Sequence, residues 1–528
     1  MNQKVVFLDV DGTIVNDKGI IPESTQIAIR KAVENGHKLV VCSGRSLFQL
    51  PQMLLDLGFS GMVTAAGAQV IAGGKEIYHA VIDEEHRKFI VDYMEKNNFR
   101  KIATITLFES AVQWYCFLLY GTAAGTVFNK VFFSQTGNGT TALILSYMSF
   151  AIGYIAGPFG AIFFGHIGDR KGRKVTMYAS LLMMGISTSI IGILPPAASA
   201  GVGVVIVLQL MRLAQCFGRG GTWGGGILMA YENVPENKRS FYAAIPQIGL
   251  PIGFGLSSIL IAVPTLLLPE DIFFTWGWRI PFLAAIILTL IVIRQKGEMM
   301  ETEDYKKAQA KLEAEEAEGK KHKVGFIPMV KGYWKTLLLG CGTRWVDGTF
   351  YNIFIVWILS YCINWLGMPL IQTYIITIIA CIFKIPFTLF GGWCAQKLGN
   401  TRTFVIGALA SAVLSIPTLK VIELSKGNLA ITIIGIVLGW SIAYNLIWAV
   451  ISSLWSSYFE TEVRYSGISF VYHVPSFLVA GMVPTICTLL INYGKGDTIY
   501  VGIYSTVVAL ISAACALALK ARHDRGEK

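Results

Sequence analysis

The chain is predicted to be a multi-domain protein: an all-α, multi-pass membrane body of twelve helices in two sets of six, with a small, partial α/β unit ahead of it. Three observations predict this. Between Ile102 and Leu519 roughly twelve apolar segments recur, each long enough to cross a hydrocarbon core of about 30 Å as a helix. The first hundred residues carry ordinary charge and alternate short β-branched runs with amphipathic ones. A charged stretch, Arg294 to Lys335, divides the apolar part in two. Of the 528 residues 54% are hydrophobic and 15% charged, against about one-quarter charged in soluble domains, so a wholly water-soluble fold is excluded.

The domains follow in order. Residues 1–100 form the α/β unit, 101–295 the first six-helix half, 296–335 a charged linker, 336–520 the second half and 521–528 a tail. The spans lie near 103–128, 140–165, 175–194, 202–230, 240–268, 277–293, 336–364, 370–392, 402–421, 428–454, 466–491 and 498–519. Lysine and arginine gather in alternate loops, which places both termini in the cytoplasm of a multi-pass cell-membrane protein. The formal charge of +11 is thus spent on orientation and on anionic lipid, and no nucleic-acid partner is expected. Nine cysteines without a C-x-x-C pair, seven of them in apolar segments, read as small buried hydrophobes.

In the first unit, Lys4 to Val10 reads as a strand, Pro22 to Asn35 as a helix and His37 to Cys42 as a second strand, with Ser43-Gly44-Arg45 opening a helix. Gly67 to His79 reads as a hairpin around Gly73-Gly74, and Asp83 to Asn97 as a helix. Asp9-Val10-Asp11-Gly12-Thr13 directly after a strand, followed by Val41-Cys42-Ser43-Gly44-Arg45, resembles the haloacid dehalogenase superfamily and its Cof-type phosphatases. The resemblance implies a Mg²⁺ site at Asp9 and Asp11, with Asp9 as nucleophile, Asp11 as acid and base, and Ser43 on the phosphoryl oxygens. Neither the lysine nor the later Gly-Asp-x-x-x-Asp stretch of that family follows, because the chain goes straight into apolar segments. The unit is therefore expected to be a degenerate remnant with a poor Mg²⁺ site, not an enzyme.

Gly165-His166-Ile167-Gly168-Asp169-Arg170-Lys171-Gly172-Arg173-Lys174 reads as a short polar turn between two spans. Its spacing resembles the major facilitator superfamily, in which Gly165, Asp169, Arg170, Gly172 and Arg173 would form a gating loop. Gly392 to Gly399 repeats the shape in the second half with Gln396 in place of the acid. Gln113-Trp114-Tyr115-Cys116-Phe117, Phe128-Asn129-Lys130, Trp223-Gly224-Gly225-Gly226, Pro246-Gln247-Ile248-Gly249 and Gly277-Trp278-Arg279-Ile280-Pro281-Phe282 are similar to the metabolite:proton symporters of that superfamily. The resemblance implies alternating-access transport of a small organic solute, proton symport, a cell inner membrane, a monomer and no cofactor for transport. Pro246 and Pro251 are expected to break the fifth span, and the glycines to let helices approach.

Gln113, Cys116 and Thr222 stand where that family usually has acids. Glu109, Asp347 and His473 are then the coupling candidates within spans, although Glu109 equally reads as a solvated boundary residue and His473 as a hydrogen-bonded interior one. Arg212, Arg219, Arg344 and Lys384 also fall at membrane depth. Arg344 and Asp347, three apart, share a helix face, as do Arg219 and Thr222. Because a guanidinium suits a carboxylate, the expected substrate is an organic anion held by Arg219, Thr222, Gln113, Tyr115, Lys384 and Arg344. Snorkelling to an interface is the competing reading of Lys384. Trp114, Tyr115, Trp223, Tyr351, Trp357, Tyr444 and Trp448 either line a cavity or form packing and interface belts. The rival functions are a membrane-tethered phosphohydrolase using Asp9 and Asp11, and a sensor that transports nothing.

Overall fold

The computed structural model describes residues 3–11, 13–16, 21–80, 84–136, 138–171, 173–232, 239–295 and 326–527. They fall into two compact units, Met1–Asn97 and Asn98–Lys528.

The first unit holds β1 (Val5–Asp9), α1 (Glu23–Glu34), β2 (Lys38–Cys42), α2 (Gln52–Leu55), β3 (Gly61–Thr64), β4 (Gln69–Ala72) and β5 (Lys75–His79). The five strands make one sheet in chain order. β1, β2 and β3 pair in parallel, and β3, β4 and β5 antiparallel. Parallel pairing needs a crossover, and α1 supplies it between β1 and β2. Val10, Ile14, Ile29, Leu39, Val41 and Leu54 pack as the core on one side of the sheet. Val5 and Phe7, on the other face of β1, stay exposed. Two expectations are corrected. No α-helix opens at Ser43–Arg45; a single 3₁₀ turn forms at Leu47–Gln49 instead, with Ser46 and Gln49 in a capping box. β3 escaped the sequence reading because Gly61-Met62-Val63-Thr64 is too short to show a period, and only pairing with β2 and β4 makes it a strand.

The second unit takes α3 (Glu84–Thr126) from Asn98 onward, then α4 (Gly139–Lys171), α5 (Arg173–Ile193), α6 (Gly203–Glu232), α7 (Gly249–Leu267), α8 (Arg279–Gln295), α9 (Phe326–Asn352) and α10 (Leu370–Leu398). It continues with α11 (Asn400–Leu424), α12 (Leu429–Ile436), α13 (Ile451–Tyr458), α14 (Thr461–His473), α15 (Val483–Tyr493) and α16 (Ile499–Asp524). Among the described residues eight helices are long and apolar enough to cross a membrane, and the pair Ser466–His473 and Phe477–Tyr493, bent by 40°, makes a ninth if it is counted as one broken span. The bend falls at Pro475, which lacks the N–H a continuous helix needs. Of the two prolines expected to break the fifth apolar segment, Pro246 does, with a 3₁₀ turn, Pro246–Ile248, between Arg239–Ala243 and α7, whereas Pro251 lies in the first turn of α7, where its missing N–H costs no helix bond. Single π-helical segments at Phe273–Gly277, Ile353–Trp357, Val437–Ala443 and Phe477–Gly481 loosen four further places.

The predicted ten-residue polar turn is corrected as well. α4 continues to Lys171 and α5 starts at Arg173, so Gly165, Asp169, Arg170 and Arg173 are helical in backbone. Gly172, the side chains of that stretch and the linker 296–325 lie outside the described residues. Its counterpart is a true turn, since Gly399 ends α10 and starts α11 at φ 89°, a conformation that costs a side chain strain. Beyond the other end of α11, Asp497 binds Lys420 at 2.7 Å, which holds its carboxyl below the usual carboxylate range.

α4 and α6 meet through small residues. A Cβ on Gly160 would run into the Phe217 carbonyl, one on Gly220 into the backbone at Gly157 and Ala161, and one on Gly157 into the His473 ring at 2.8 Å. In a membrane, where no hydrophobic gain drives helices together, such backbone approach supplies the packing. Gly160→Val is expected to lower stability by about 1–3 kcal/mol, the overpacking range, or to prevent folding. Gly332→Ala, into open space, should leave the melting curve in detergent unchanged.

Candidate substrate-binding site

The site is built on buried cations. α6 carries Arg212 and Arg219, two turns apart and both buried. The Arg212 guanidinium lies 4.5, 4.4 and 4.6 Å from the ring centres of Phe117, Tyr120 and Phe150, and donates to Gln215 Oε1. Gly153 must be glycine, because a Cβ there would press on Arg212. Arg219 lies 3.8 Å from the Phe117 ring, 4.7 Å from Trp114 and 5.2 Å from Tyr472, and donates to the Tyr472 hydroxyl. Tyr472 belongs to α14, so the bond joins residues 253 apart in sequence.

Arg344, from α9, sits 4.3 Å over the same Tyr472 ring and forms a buried ion pair with Asp347 one turn on. The Tyr444 hydroxyl donates to the other oxygen of Asp347. Lys384, from α10, lies 4.5 Å from the Tyr444 ring and 4.6 Å from Trp440, and donates to Asn445 Oδ1 at 3.0 Å. Arg219, Tyr472, Arg344, Asp347, Tyr444 and Lys384 thus form one connected chain at membrane depth. A ring face attracts a desolvated cation by about 2 kcal/mol but does not neutralise it.

Around this chain several buried polar atoms have no hydrogen-bond partner among the described residues: Trp114 Nε1, Tyr154 Oη, Tyr351 Oη, His473 Nε2 and Arg212 Nη2. The rings are contiguous, with Trp114 5.7 Å from Tyr351, Phe117 5.4 Å from Tyr154, and Tyr472 5.0 Å from His473. Buried polar groups in folded proteins are nearly always bonded. Trp114 Nε1 and Arg212 Nη2 can only donate, whereas the two phenols and the imidazole nitrogen can donate or accept.

The phosphatase residues are arranged differently. Asp9 ends β1 in an exposed position, and Ser43 is buried with its Oγ accepting the Arg45 N–H at 3.1 Å. Both carboxylate oxygens of Asp11 are taken by the Arg45 guanidinium, at 2.5 and 3.1 Å. Among the described residues no three histidine, cysteine or acidic side chains cluster as metal ligands. Arg45 thus occupies the oxygens that would face Mg²⁺, in an ion pair whose side chains are 41% and 54% exposed.

Residues 6–118 match the family model of haloacid dehalogenase-like hydrolases, and residues 114–484 match that of the Major Facilitator Superfamily. The chain belongs to the major facilitator superfamily. It is 33% identical over 440 residues to the inner membrane metabolite transport protein YhjE of Escherichia coli (strain K12), covering 82% of this chain and 97% of that one. It is 31% identical over 428 residues to the shikimate transporter of the same organism, covering 80% and 94%. The D-xylose-proton symporter shares the fold, with a TM-score of 0.60 at 16% identity over 79% of this chain and 96% of that chain. The chain is thus a multi-pass membrane transporter of this superfamily with a haloacid dehalogenase-like segment at its start.

Within this facilitator the sequence-predicted residues sort unevenly. Arg219, Arg344, Asp347 and Lys384 come together. Lys384 does not snorkel, being wholly buried and bonded inside the bundle. Glu109 is buried and not a solvated boundary residue. His473 is interior, but its Nε2 lacks the expected partner among the described residues. Gln113 is buried with its amide nitrogen likewise unpartnered. Tyr115 is not in the cluster; its hydroxyl donates to the Pro281 carbonyl at 2.5 Å, on another face of α3 from Trp114. The side chains of Thr222, Trp223 and residues 224–226 lie outside the described residues. Trp114, Tyr351, Trp357, Tyr444 and Trp448 are all buried, so none of them forms an interface belt. Tyr472 and Tyr154 were missed, since a tyrosine in an apolar run gives no local sign that its hydroxyl meets a cation far away in sequence.

Two outcomes follow from this geometry. Asp347→Asn or Arg344→Gln alone should cost about 3–5 kcal/mol, because each strands a buried partner, whereas the double variant should recover most of that loss in a detergent melt. Lys384→Met, exchanging a buried ammonium for an apolar stem, should raise the melting temperature while lowering transport.

Proposed function

We propose that this facilitator carries a small organic anion through alternating access of two six-helix halves, with twelve spans, both termini cytoplasmic and a proton moving with the solute. The observation that carries the reading is the convergence of Arg219 and Arg344, from opposite sides of the charged stretch, on one Tyr472 ring among unsatisfied donors. Two guanidiniums and a fringe of N–H and O–H groups suit a carboxylate with neighbouring oxygens. The shikimate transporter among the relatives is named for such a solute, and a proline/betaine transporter of Salmonella typhimurium, 27% identical over 82% of this chain and 86% of that one, for zwitterions that also bear a carboxylate.

Asp347 is the proposed proton carrier. Its carboxylate faces Arg344, the Tyr444 hydroxyl and, beyond the Tyr472 ring, Arg219. While ionised it competes with the substrate for Arg344. Protonation releases Arg344, so proton and anion favour each other's binding, which is the reciprocity that symport needs. The acids usual in the first and fourth spans are replaced here, and coupling shifts to the seventh. Glu109 and His473 remain secondary candidates, and the first unit takes no part in phosphoryl transfer.

Uptake of labelled shikimate into proteoliposomes, with and without an inward proton gradient, tests this. Arg219→Ala should reduce uptake by more than about tenfold, as removal of a buried charge partner does. Asp347→Asn should retain exchange but lose its response to the gradient. Uptake by Arg219→Ala within about twofold of wild type, when wild type is active, would reject the assignment.

A further inference from the structure

A cavity of about 440 Å³ opens at the end of the bundle where α3 finishes and α10 begins. This is within the size range of about 300–1,000 Å³ usual for small-molecule sites. Its lining is mostly apolar with a few polar groups, among them Asn129, Lys130, Glu270 and Asn364. Lys130 projects over the Phe274 ring at 4.3 Å and meets Glu270 at 3.4 Å. That ion pair is loose and wet, with the side chains 57% and 79% exposed. An exposed pair contributes little, so a solute carboxylate can replace Glu270 on the ammonium at small cost.

The cavity does not run on to the central cations. Tyr374, in α10, donates to Thr126 Oγ1 of α3 at 3.2 Å, and Tyr147, in α4, donates to Ser360 Oγ at 2.7 Å. Gly125, on the cavity wall, is so close that a Cβ would stand 3.2 Å from both the Tyr147 hydroxyl and the Val356 carbonyl. Each contact ties a helix before the charged stretch to one after it. Both phenols thus bond across the two sets of helices beside the cavity.

We infer that this cavity is a waiting site, in which Lys130 takes the carboxylate of a small organic anion and Glu270 is its built-in competitor. The inference rests on the anion-transport reading and extends it to a second place on the route. It predicts opposite signs for two substitutions that break the same ion pair. Losing Lys130 removes the attraction, while losing Glu270 removes the rival. A purely structural ion pair would give both the same sign.

The test uses the full-length protein in lipid nanodiscs, titrated calorimetrically with shikimate and with succinate in an Arg219→Ala background that weakens the central site. Lys130→Gln in that background should weaken binding at least about fivefold, and Glu270→Gln should tighten it about two- to fivefold, the span an exposed ion pair sustains. Shifts of the same sign, no shift in either variant, or no binding of either anion to Arg219→Ala overturns the waiting site. The central reading is judged separately, by wild-type against Arg219→Ala uptake, which the outer pair does not touch.

Discussion

Everything at the centre of this protein depends on holding guanidinium and ammonium groups where lipid and protein exclude water. A bare cation at that depth is expensive, and ring faces and hydroxyls help to offset the cost. Phe117 serves both Arg212 and Arg219, and Tyr472 serves both Arg219 and Arg344. A quadrupole stabilises a cation without cancelling its field. Asp347 is the exception, and its placement against Arg344 and Tyr444 makes it the one link whose charge a proton can erase.

The same helices must also move. Glycines 153, 157 and 160 on α4 admit Arg212, His473 and the Phe217 carbonyl in turn, so one small-residue face sets the position of α6 and α14 together. On the other side of the charged stretch, π-helical segments and the Pro475 bend place soft points within three of the helices that carry Asp347, Tyr444 and Tyr472. Tight glycine contacts and loosened backbone occur on both sides of the charged stretch, as the Phe273–Gly277 π-segment and the close approach at Gly348 show.

The first unit shows the reverse economy. It keeps the strand order and the Asp-x-Asp turn of a phosphohydrolase, yet Arg45 occupies the Asp11 oxygens and the other face of β1 is left open.

Sequence alone determined that this is a multi-pass membrane protein, because apolar length is a local quantity summed along the chain. It also contained the Arg344–Asp347 pair, since partners three apart on a helix meet whatever the rest does. Tertiary structure alone decided that Trp114 and not Tyr115 meets Arg219, that Lys384 turns inward, that Gly61–Thr64 is a strand, and that Tyr472 joins two arginines. Those outcomes depend on contacts between residues tens to hundreds of positions apart, and no local period or propensity encodes which faces of two distant helices will touch.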